Sequence, residues 1–212
     1  MSLKRAFDLC AASTGLVLLA PVLTMIALWI KLDSRGPVFF RQQRVGQFGR
    51  LFDIHKFRTM TVRQQQGALQ ITVGDDARIT RSGAFLRKYK LDELPQLIDV
   101  VRGCMSIVGP RPEVPRYMAY YPEEARRRIL SVKPGITDRA SLEFRDENAM
   151  LAGAADPEQV YIERILPIKQ AYYLQYVQQQ SFWFDIKIIL QTIYLVFMRN
   201  RSASTILHAP KK

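Results

Sequence analysis

The longest apolar stretch of the chain covers residues 9–30, LCAASTGLVLLAPVLTMIALWI, and carries no charge. About 20 apolar residues in a helix cross a bilayer, so the length permits a span. A secretory signal is a poor fit, because the flank Lys31-Leu32-Asp33-Ser34-Arg35 offers no small-residue cleavage site. Pro21 falls mid-run, where it removes a backbone hydrogen bond and kinks a helix. Lys4 and Arg5 flank one end, and Lys31, Arg35, Arg41 and Arg44 flank the other. A spanning anchor would put one basic flank outside, against the positive-inside tendency. A bent, re-entrant helix satisfies both flanks, and on residues alone both readings stay open.

Residues 181–198 repeat the theme at helical spacing. Phe182, Trp183, Ile186, Ile189, Leu190, Ile193, Tyr194 and Phe197 fall on one face, with Asp185, Lys187, Gln191 and Thr192 on the other. Such a helix packs on a domain or lies in a membrane interface, where Trp183 would serve as an anchor. Between these ends, 36–62 predicts two short extended segments around Gly46-Gln47-Phe48-Gly49. Helices are expected over 79–90, 94–102, 123–130 and 157–179. Residues 63–77, 103–115 and 133–145 read as loops, and 201–212 as a disordered tail. The mixture predicts a helix-rich α/β fold.

Charge narrows the partners. The 212 residues hold 31 Lys+Arg against 19 Asp+Glu, a net +12, which suits nucleic acid, anionic lipid or nucleotide phosphates. Cys10 and Cys104, with His55 and His208, lack disulfide or zinc spacing.

The segment Leu91-Asp92-Glu93-Leu94-Pro95-Gln96 sets two carboxylates among cations, with Arg87, Lys88 and Lys90 before them and Gly109-Pro110-Arg111-Pro112 after. Pro95 is tolerated only in a helix's first turn, so Asp92 belongs at or just before a helix start. Helix amides and Arg87 would keep Asp92 ionised, as a carboxylate nucleophile requires. Glu93 could ligate magnesium, which binds one or two carboxylates plus phosphates. An Asp-Glu pair there is more often a simple helix cap. Arg111, fixed between two prolines, suits phosphate recognition or a pairing with Glu113. Lys56 and Arg58 alternate, so in a strand both would share one face as a phosphate cradle.

Together these features resemble the bacterial monotopic phosphoglycosyl transferases, the bacterial sugar transferase family of undecaprenyl-phosphate glycosylphosphotransferases. The likeness runs from Lys4 to about Arg199 through Lys4-Arg5-Ala6-Phe7-Asp8, Ala20-Pro21, Gly36-Pro37-Val38-Phe39-Phe40 and Arg44-Val45-Gly46. It continues through Lys56-Phe57-Arg58-Thr59-Met60, the Asp92-Glu93 segment, Gly109-Pro110-Arg111-Pro112, Lys133-Pro134-Gly135-Ile136-Thr137 and Asp185-Ile186-Lys187. The resemblance implies transfer of a sugar 1-phosphate from a UDP-sugar to polyprenyl phosphate, with UMP released. It implies magnesium, held by Glu93 with Asp92, and a covalent intermediate on Asp92. It places Lys56, Arg58, Arg87, Arg111, Lys133 and Thr137 in the substrate-binding set. It implies a re-entrant helix within 1–35, bent at Pro21, a catalytic domain over 36–200 ending in an amphipathic interfacial helix, and the cytoplasmic face of the bacterial inner membrane. Membrane lipid is then a partner and nucleic acid is not, and the apolar surface leaves room for a homodimer.

Two departures bear on the donor. Asp138-Arg139-Ala140-Ser141 stands where many relatives have Gly-Trp, and Tyr173 stands near a position often acidic. The opposing class is a membrane-tethered basic module that binds nucleic acid or anionic lipid without turnover. Such a module has no use for two acids inside its basic surface.

Overall fold

The computed structural model describes residues 2–61, 76–144, 151 and 153–197. Most of the expected 63–77 loop and the whole 201–212 tail lie outside these residues.

Helix α1 (Leu3–Asp33) starts at Ser2, whose hydroxyl accepts from the Arg5 amide. At 1.5 Å per residue it is about 46 Å long. It is apolar enough to cross a membrane. Pro21 sits exposed inside α1 without ending it. Arg58 closes the far end by donating to the carbonyls of Ile30, Ser34 and Arg35. The shared cradle expected of Lys56 and Arg58 is therefore not formed. Strand β2 stops at Phe57, and Arg58 turns to cap α1.

Both ends of α1 are seated on one domain. Near its start, Lys4 Nζ donates to Val108 O (3.0 Å), Arg5 to Val100 O (2.8 Å), and Asp8 accepts from the Ser106 hydroxyl (2.8 Å). Near its end, Asp33 accepts from the Ser82 amide (2.9 Å) and hydroxyl (2.8 Å). Ala12 packs with Ile54, Val100 and Met105, while Ile26 and Ile30 pack with Phe57 and Leu86. The opposite face leaves Val17, Leu18, Met25, Leu28 and Leu32 exposed. At roughly 2 kcal/mol for each such side chain, that face needs an apolar environment.

Strands β1 (Phe39–Val45) and β2 (Leu51–Phe57) form the expected hairpin, antiparallel from Phe39↔Phe57 to Val45↔Leu51. Helix α2 (Arg81–Lys88) and helix α3 (Gln96–Arg102) follow. Gly103, at φ 86°, ends α3 in the left-handed conformation that glycine adopts most readily. Two segments expected as loops hold a short parallel pair instead. Strand β3 (Ser106–Val108) pairs with β4 (Gly135–Thr137). Strands of three residues are too short to leave an alternating pattern. Helices α4 (Pro115–Met118) and α5 (Glu123–Ile129) separate them, and α6 (Arg139–Glu143) follows, also inside an expected loop.

The chain continues through α7 (Pro157–Val160), a π turn (Tyr161–Ile165) and α8 (Leu166–Gln179), which close a core around Tyr117, Tyr161, Leu166 and Tyr173. The last helix, α9 (Phe182–Phe197), leaves much of its apolar face exposed, as an interfacial placement requires, and departs from the expected pattern at Asp185. Asp185 turns inward with Ile188, because Lys4 and the Tyr176 hydroxyl bind its carboxylate. Trp183, Leu190, Ile193 and Tyr194 are left exposed, Trp183 by 77%. Helices α1 and α9 thus both present bare apolar surface.

Candidate active site

Asp92 and Glu93 lie in one 3₁₀ turn, Leu91–Glu93, just ahead of α3, whose cap is Pro95. The turn is launched by Lys90, which is left-handed at φ 57°. A non-glycine residue costs roughly 1–2 kcal/mol there, and such outliers gather at functional sites.

The two carboxylates are bonded very differently. Glu93 accepts from Lys56 Nζ at 2.8 Å and from both terminal nitrogens of Arg111, one of them at 3.1 Å. Burial opposes its charge, yet Arg111 and Lys56 outweigh that and hold its carboxyl well below the usual range. Glu93 in turn raises the Arg111 guanidinium well above its ordinary value. Asp92 is also buried, but its Oδ1 accepts no hydrogen bond. Burial and the Glu93 charge push its carboxyl up, against the pull of Lys56, Arg87 and Lys90. Sequence reasoning expected helix amides and Arg87 to keep Asp92 low. Desolvation is the larger effect, because the turn is buried against β2 and α2.

The remaining expected residues separate into groups. Lys56 and Arg111 meet at Glu93. Arg87 donates from Nε to Thr59 Oγ1 (3.0 Å) and acts electrostatically on Asp92. Lys133 lies instead beside Arg5 and Asp8, at the start of α1. Thr137 bonds Thr192 of α9 (2.8 Å). Neither Lys133 nor Thr137 is bonded to the dyad. Their segment shapes the Arg111 loop through its backbone. Gly109 N donates to Thr137 O (3.1 Å) and Gly135 N to Pro110 O (3.0 Å). A Cβ on Gly109 would lie 2.4 Å from Lys133 O, and one on Gly135 would lie 2.1 Å from Gly109 N. Two glycines in different motifs therefore allow one close backbone crossing that aims Arg111. Arg44 adds a bond to Pro112 O (2.9 Å). Glu113, weighed as the partner of Arg111, accepts from the Tyr161 hydroxyl (2.9 Å) instead.

Sequence reasoning missed a buried pair behind the site. His55 Nδ1 lies 2.7 Å from Asp99 Oδ1, and the His55 amide donates to Asp99 Oδ2 (2.9 Å). This clamps β2 to α3 next to Lys56. The one available signal was a histidine between two core residues of a strand, Ile54 and Phe57. Asp138, singled out in the sequence as part of a departure that bears on the donor, also sits close to the site. It is buried, caps α6 through the Ser141 amide, and lies near enough to Arg111 to act on its charge.

Among the described residues, no three His, Cys, Asp or Glu side chains gather as a metal cage. The buried Oδ1 of Asp92 is one open acceptor. It fits a magnesium ion held by a single carboxylate and otherwise by substrate phosphates. Glu93, also expected as a ligand, is occupied by its two cations.

Residues 1–199 match the family described as bacterial sugar transferase. The chain belongs to that family. It is 42% identical over 204 residues to the undecaprenyl-phosphate glucose phosphotransferase of Komagataeibacter xylinus, covering 93% of this chain and 36% of that protein. It is 39% identical over 203 residues to the UDP-glucose:undecaprenyl-phosphate glucose-1-phosphate transferase of Escherichia coli K12, covering 95% of this chain. A Caulobacter vibrioides protein of the same name is 41% identical over 195 residues, covering 90% of this chain and 68% of its own length. The bacterial sugar transferase chain spans 41% of the length of its Escherichia coli relative.

Proposed function

We propose that this chain transfers a sugar 1-phosphate from a UDP-sugar to polyprenyl phosphate, releasing UMP, at the cytoplasmic face of the bacterial inner membrane. The buried, unpartnered Oδ1 of Asp92 carries this reading. It is an acceptor kept out of water and set among Lys56, Arg87 and Lys90, where a diphosphate would be neutralised.

Asp92 attacks the sugar-side phosphorus. A carboxylate O–P bond forms, the bond from that phosphorus to the bridging oxygen breaks, and UMP leaves with the oxygen. A phosphate oxygen of polyprenyl phosphate then attacks the same phosphorus and frees Asp92, giving the polyprenyl diphosphate sugar. Both nucleophiles are anionic, so neither step needs a base. Lys56 and Arg87 offset phosphate charge, and Arg111, once exchanged from Glu93, can hold an anionic donor. Magnesium, when bound at Asp92 with the phosphates, would supply further charge neutralisation.

Membrane placement follows the same reading. With both ends of α1 on one polar domain, a one-sided, re-entrant insertion at Pro21 accommodates the helix and both basic flanks. The names of the relatives make UDP-glucose the first donor to test. The full chain in detergent, given magnesium, a panel of UDP-sugars and undecaprenyl phosphate, should release UMP with one donor, and Asp92→Asn should not. Equal UMP release by Asp92→Asn would overturn the assignment.

A further inference from the structure

A cleft of about 440 Å³ opens between α6 and α9, and no residue of the Asp92 turn lines it. Its walls are Leu142, Phe184 and Ile188, and Arg139 and Lys187 line it with them. Among the described residues, neither cation forms an ion pair or a hydrogen bond through its side chain; Arg139 only stacks over the Tyr172 ring. Glu143 borders the same opening, and the two cations outweigh it. Tyr194 belongs both to the cleft and to the exposed apolar face of α9, with Trp183 and Leu190.

We propose that this cleft binds the headgroup of an anionic phospholipid from the bilayer. The phosphate would meet Arg139 and Lys187, and the first part of an acyl chain would run along Leu142 and Phe184 towards the apolar face. Two cations without an ion pair among the described residues, over an apolar floor, match that amphiphile in charge and shape, and the cleft is continuous with the exposed apolar face of α9.

Native mass spectrometry of the full chain, released from detergent micelles with phosphatidylglycerol or phosphatidylcholine, tests it. The chain should retain phosphatidylglycerol in preference. Arg139→Gln with Lys187→Gln should lower that retention by about fivefold per cation. Arg126→Gln with Arg127→Gln removes the same charge from exposed positions on α5 and should leave retention unchanged. Gln191→Trp fills the cleft at an exposed position, keeps every charge, and should lower retention. Unchanged melting would confirm that each variant is folded. Equal losses in both charge pairs, or full retention in Gln191→Trp, would overturn the site. One-for-one displacement of phosphatidylglycerol by undecaprenyl phosphate would assign the cleft to the acceptor instead.

Discussion

Glu93 gives its carboxylate to Arg111 and Lys56, whereas Asp92, one residue earlier, keeps a buried oxygen with no hydrogen bond. The pair thus divides its work. Glu93 fixes two cations and holds the turn in place. Asp92 is left with a buried carboxylate oxygen that no hydrogen bond occupies.

Removing one cation should therefore expose Glu93 as a buried, half-paired charge. Arg111→Gln is expected to cost about 3 kcal/mol of stability. Adding Glu93→Gln should recover part of that loss, because the stranded charge is then gone. Thermal melting of the two single variants and the double variant measures the coupling.

The glycine crossing makes a separate demand. A Cβ at Gly135 would sit 2.1 Å from Gly109 N, so β3 and β4 must part at the base of the Arg111 loop. Gly135→Ala is expected to lower melting and to cut UMP release more than tenfold. Native-like melting with native turnover would show that the crossing does not position Arg111.

Much of this was legible in the sequence, for physical reasons. The long uncharged run marked α1, turn residues marked the hairpin, and Pro95 marked the start of α3 with the dyad ahead of it. What failed was long-range. Arg58 reads as a phosphate ligand until α1 supplies carbonyls for it, and Asp185 reads as a polar-face residue until Lys4 arrives from far along the chain. The His55–Asp99 pair, the burial of Asp92 and the β3–β4 pairing likewise arise only when distant segments meet.

The Asp33–Ser82 contact ties the end of α1 to α2 and should respond to acid. Hydrogen bonds from the Ser82 amide and hydroxyl lower the Asp33 carboxyl below its usual 3.8. Its contribution is therefore in force above that value and is lost as the pH falls through the lower, folded one. Asp33→Asn should cost on the order of 1 kcal/mol at neutral pH, since the group is partly exposed. The melting difference between the two proteins should shrink below about pH 3.8. A difference independent of pH would mean that the Asp33 charge contributes nothing.

The central claim is that Asp92 becomes covalently loaded, and intact-protein mass tests it directly. The full chain is incubated with magnesium and UDP-sugars, without lipid acceptor. The expected result is a mass gain of one sugar phosphate with the true donor, absent in Asp92→Asn, which should melt no lower than wild type because it loses a buried charge. The same gain in Asp92→Asn, or UMP release on adding undecaprenyl phosphate with no adduct from any donor, would contradict it.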